Sequence, residues 1–105
     1  MSETYNKKHR YGSVSIKGVK ADFDYYDPEQ AMPIVKAAAF LQPHDADNWC
    51  ILGDLCVEEG DCVLAIDSYE MALKIKPESG RALSGKEKAE VKLVSFPYSY
   101  MDPNY

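Results

Sequence analysis

Residues 46–79 read ADNWCILGDLCVEEGDCVLAIDSYEMALKIKPES. Two helices account for this stretch. The first opens at Asp45 or Asp47, acids suited to capping the free N–H groups of a helix start, and ends at Gly60, where a left-handed backbone costs glycine little. Asp61 then caps a second helix that carries Ala65, Tyr69 and Ala72 at spacings of four and three, one face of a helical cylinder, and stops before Pro77. The residue sizes predict how the two pack. Gly53, Ala65 and Ala72 are small enough to let antiparallel helices approach closely, and Trp49 and Tyr69 are large enough to fill what remains.

Working toward the N-terminus, Ala31, Val35, Ala38 and Pro43 each stand 34 residues ahead of Ala65, Tyr69, Ala72 and Pro77. A helix is therefore expected from Pro28 or nearer Gln30 to about Gln42, with Asp27 as its cap, Pro33 near its first turn and Pro43 as its stop. Toward the C-terminus, Ser79 caps a fourth helix from about Gly80 to Val94 with a weaker stripe of Leu83, Ala89, Val91 and Val94. Leu83 stands where Trp49 would recur, but Lys86-Glu87 replaces Leu52-Gly53.

With Trp49, Leu52-Gly53, Cys56, Ala65, Tyr69, Ala72 and Pro77 at fixed spacing, residues 46–79 resemble the tetratricopeptide repeat (TPR), with Cys56 in place of an aromatic residue. The resemblance covers residues 28–94, of which only the middle part carries the full signature. It implies an all-α fold of about four helices, antiparallel helix-turn-helix units in a TPR-like right-handed superhelix, with extended N- and C-terminal arms. Such arrays bury a continuous core by stacking, and about three units are usually needed for independent stability. One full repeat between two halves is expected to be marginal alone.

The resemblance also implies a partner-binding groove on the first helix of the repeat, faced by Asp47, Cys50, Asp54, Val57 and Glu58. That acidic strip would suit a Lys/Arg-bearing segment, and the alternative is an ordinary solvated helix face. Chaperone-type members clamp a C-terminal carboxylate with Lys, Asn and Arg in these positions, a chemistry that Asp47, Cys50 and Asp54 lack.

Outside the helices the chain changes character. Residues 1–27 have scattered Gly, Ser and Tyr with a brief alternation of Val14 and Ile16 closed by Gly18, which predicts an extended arm. Residues 95–105 read as a Tyr/Pro tail. Seven of the eight tyrosines lie outside the repeat, at Tyr5, Tyr11, Tyr25, Tyr26, Tyr98, Tyr100 and Tyr105, and aromatic side chains there suit interface anchors. The alternative is that the arms fold back on their own helices. The basic run Lys7-Lys8-His9-Arg10 could seek an acidic surface, including the chain's own groove.

Composition bounds the function. The 105 residues suffice for one small domain, and 17 acids against 12 bases disfavour nucleic acid and anionic membranes as partners. Ten of the acids and three of the bases fall in residues 28–79, so an acidic centre lies between two nearly neutral ends. No apolar run approaches the roughly 20 residues of a membrane span, and the first residues form no secretion signal, which predicts a cytoplasmic, reducing environment. Cys50, Cys56 and Cys62 then read as buried thiols, their spacing with His9 and His44 being unlike a zinc site. Gly80, Gly85 and Lys86 imitate a phosphate loop, but Glu87 stands where Ser or Thr belongs and no strand precedes it. No nucleophile–base pair or carboxylate dyad is visible. The expectation is a non-catalytic protein-binding adaptor without cofactor, metal or small-molecule substrate, a structural subunit of a multiprotein assembly, cytoskeletal or other. The rival is a free module or escort gripping a basic peptide.

Overall fold

A computed structural model describes residues 9–100, the side chains of 96–100 apart. Two strands, β1 (Tyr11–Ile16) and β2 (Val19–Asp24), precede four helices, α1 (Pro28–Leu41), α2 (Ala46–Glu59), α3 (Cys62–Ile75) and α4 (Gly80–Tyr100). The described residues are mostly helical with one two-stranded antiparallel sheet. No helix among the described residues is long and apolar enough to cross a membrane.

The helix ends follow local chemistry. The Asp45 carboxylate accepts the N–H groups of Asp47 and Asn48, the Asp61 carboxylate accepts that of Leu64, and Ser79 Oγ accepts that of Ala82. Gly60 closes α2 at φ 88°, with its N–H on the carbonyls of Cys56 and Val57. Helix α1 starts at Pro28 and contains Pro33, whose missing bond would go to the carbonyl of Glu29, an exposed residue that water reaches. Helix α4 runs to Tyr100, beyond the Val94 end expected for it and through the stretch expected as a tail. Pro97 lies within this helix and forfeits one bond, to the Leu93 carbonyl.

The expected extended arm is a correction to make. Residues 11–24 form a hairpin with Ile16 paired to Val19 around Lys17 and Gly18, at φ 51° and 81°, the two left-handed residues of a tight hairpin turn. Its inner face, with Val14 and Phe23 buried, lies on α1, and its tip is held where the Lys17 N–H donates to the Gln42 side chain. The sequence signal for β2 is the alternation of Val19, Ala21 and Phe23 with Lys20, Asp22 and Asp24. Val14, Phe23 and Tyr25 join one core with Ala31, Val35, Ala38, Trp49, Leu52, Leu55, Cys56, Ala65, Tyr69 and Ala72. Pro77 is exposed where α3 has ended.

Asn48 joins the hairpin to the helices. Its side-chain oxygen accepts the Ser15 N–H at 3.3 Å, and its Nδ2 donates to the carbonyls of Ser15 at 2.9 Å and Ala38 at 3.4 Å. A buried amide with its hydrogen bonds made fixes one register between strand and helix. Nothing in a helical run marks Asn48 for this, because its partner stands 33 residues earlier.

Asp24 ties off the base of the hairpin. It accepts the N–H groups of Arg10 at 3.0 Å and Tyr26 at 2.9 Å, and lies 2.6 Å from His9 Nδ1. The Arg10 N–H first, then His9, holds its carboxyl down at about 2 from the ordinary 3.8. A carboxylate depressed on folding stabilises above its unfolded value and loses that contribution as pH falls through the folded one. The amide signals of Arg10 and Tyr26 are therefore expected to titrate by NMR with a midpoint near 2. A midpoint near the ordinary value would remove Asp24 from these bonds.

Candidate functional site

The residues expected to face the groove divide. Asp54, Val57 and Glu58 line one hollow of about 340 Å³, bounded across from α2 by Arg81, Ser84 and Lys88 of α4. Asp47 is exposed and lines a second hollow of about 450 Å³, between α2 and the outer face of the hairpin. Cys50 is withdrawn into the core. Burial pushes its thiol up, and pushes that of Cys56 up to about 12, so neither supplies a thiolate near neutral pH.

The acids in the first hollow already hold bases of the same chain. Arg81 Nη2 lies 2.6 Å from Asp54 Oδ2, and the Tyr69 hydroxyl donates to Asp54 Oδ1 at 2.5 Å. Burial first, and this bond second, raise the Tyr69 phenol, which keeps its proton and stays a donor. Burial, the largest single influence, would lower Arg81, but the bond to Asp54 and the attraction of the Asp54 charge act together with its other neighbours to raise its pKa on balance. Arg10 Nη1 reaches Glu58 at 3.0 Å while its guanidinium lies 4.3 Å over the Tyr25 ring.

Arg81, Ser84 and Lys88 were not singled out from sequence, yet they stand 34 residues after Asp47, Cys50 and Asp54. At this spacing α4 carries bases, Arg81 and Lys88, where α2 carries the acids Asp47 and Asp54. The hollow is thus close to electrically balanced. A cationic segment entering it would have to displace Arg10 or Arg81 from half-exposed ion pairs, each worth about 0–1 kcal/mol.

The tyrosines expected as anchors also divide. Tyr25 is buried against Phe23, ring centroids 4.8 Å apart, and belongs to the chain's own core. Tyr11 and Tyr26 are exposed, and Tyr11 stacks on His9. Tyr5 and Tyr105 lie outside the described residues, and at Tyr98 and Tyr100 only the helical backbone is described.

The imitation phosphate loop is the interior of α4. Gly85 packs on Tyr69, and Lys86 Nζ lies 3.2 Å from Glu70. The stripe expected on α4 is not one face: Ala89 is buried, whereas Leu83, Val91 and Val94 are exposed. Val57 and Val91 flank an apolar groove beside Lys88 and Lys92. Among the described residues, no group of three His, Cys, Asp or Glu side chains is placed to hold a metal ion. Compared with known protein families and with curated proteins, the chain matches neither a family model nor any curated protein.

Proposed function

We propose that this chain is a non-catalytic protein–protein adaptor, a TPR-like module of one full repeat (46–79) between partial ones, working as a subunit of a larger assembly. The repeat reading is supported by spacing. Pro28–Leu41 and Cys62–Ile75 differ by 34 at both ends, and Ala46 and Gly80 differ by 34 at their starts. On that reading the units wind as a right-handed superhelix whose N-terminal end is covered by the hairpin. The buried free thiols of Cys50, Cys56 and Cys62 suit a reducing, cytoplasmic setting.

One observation carries the functional reading. Leu83 and Val94 of α4 are 51% and 70% exposed, and Val91, 61% exposed, flanks the groove it shares with Val57 of α2. Exposed apolar residues at helical spacing suit a protein partner. The escort alternative has less support, because Asp54 and Glu58 already hold Arg81 and Arg10.

The test is native co-purification of tagged chain with Leu83→Asp and Val94→Asp combined. Both sites are exposed, so helicity and melting should stay unchanged while the assembly partners are lost. Glu58→Ala should retain them. If the α4 variant keeps its partners and Glu58→Ala loses them, the groove is the binding site and the adaptor reading through α4 fails.

A further inference from the structure

We propose that the free edge of β2 pairs with β2 of a second copy of this chain, making a continuous four-stranded antiparallel sheet in which Lys20 stands opposite Asp22 of the second copy. The surface is separate from the outer face of α4, so the two readings stand or fall independently.

A two-residue turn sets which backbone groups are available. In such a hairpin the closing pair, Ile16 and Val19, exchanges ladder bonds, and the next pair, Ser15 and Lys20, turns its N–H and C=O groups outward. The Ser15 side of this rule is satisfied, because those two groups are the ones Asn48 takes. On the β2 side, Lys20 and Asp22 point their backbone groups the same way and are exposed. Among the described residues no hydrogen bond reaches those backbone groups. Among the described residues, one edge of the hairpin is thus closed by the helices and the other is open.

Charged edge residues usually blunt such a strand, because like charges meet when copies pair. Here the signs select a register. If Lys20 faces Lys20 or Asp22 faces Asp22, like charges stand opposite each other. With the two-fold axis at Ala21, Lys20 faces Asp22 twice and every cross-strand charge pair is of opposite sign. The same register places Val19 opposite Phe23 of the second copy in a non-hydrogen-bonded pair, the kind that brings side chains closest. Val19 is 66% exposed on the apolar side of the hairpin and gains a cover there. Two strands span about 9–10 Å, the separation of packed helices, so two copies of α1 fit beneath four strands without overlap.

The test is sedimentation of the whole chain across a concentration series. One strand pair is a small interface, so a dimer forming in the micromolar range or weaker is expected. Lys20→Asp should weaken it about tenfold or more, and Lys20→Asp combined with Asp22→Lys should restore it. Lys20→Pro removes an outward N–H without touching the ladder to β1 and should leave monomer. A chain that stays monomeric at every concentration overturns the proposal. So does a dimer indifferent to Lys20→Asp, or one that dissolves only on Val91→Asp, which would move the interface to α4.

Discussion

Trp49→Ala is expected to cost about 3–5 kcal/mol of folding stability. The indole is almost fully buried, lies 5.7 Å from the Phe40 ring, and donates its N–H to the Pro43 carbonyl at 2.9 Å. Truncation therefore opens a cavity where α1, its exit turn and α2 meet, and it strips a donor from a carbonyl in that turn. A domain of this size has about 5–15 kcal/mol to lose, so the variant should be largely unfolded under mild denaturant. Because Trp49 is the only tryptophan, unfolding has to be followed by circular dichroism. Trp49→Phe keeps most of the buried ring and should recover much of the loss. An alanine variant with the urea midpoint of the parent would show that the indole does not hold these elements together.

What was legible in the sequence is what short-range chemistry writes. Asp45, Gly60, Asp61 and Ser79 stop and start helices within a few residues of themselves, and α2 and α3 could be bounded from them. The hairpin was not legible as a hairpin. Lys17-Gly18 is a weak turn signal, and Val14 and Phe23 gain their stability from α1, a contact that no window of a few residues contains. Asn48 was missed for the same reason. Asp54 and Glu58 line one hollow, and the 34-residue spacing that relates the helix starts, applied to Asp47 and Asp54, points to Arg81 and Lys88 across from them, and with them to the charge balance. The expected end of α4 at Val94 followed the last residue of the apolar stripe, whereas the helix continues to Tyr100 through Pro97, which removes one bond from a helix and does not by itself end it.

Gly85→Ala is expected to destabilise by about 1–3 kcal/mol, although in an exposed helix interior the same change would gain about 1 kcal/mol. The sign turns on Tyr69. Its ring lies between α2 and α4, so that a Cβ on Gly53 would stand 2.7 Å from it and a Cβ on Gly85 closer still. Elsewhere a ring could swing aside, but here the Tyr69 hydroxyl is bonded to Asp54, which is in turn held by Arg81. The added methyl must therefore push α4 outward or break that chain of bonds. Gly80→Ala is the matched control, since nothing lies within 4 Å of the position where its Cβ would be. Urea denaturation of the two variants should move the midpoint in opposite directions or leave the control near neutral. Tyr69→Leu combined with Gly85→Ala should cost less than the two single changes added together, because the ring that objects to the methyl has gone. If Gly85→Ala stabilises as much as Gly80→Ala, Tyr69 is not wedged between α2 and α4.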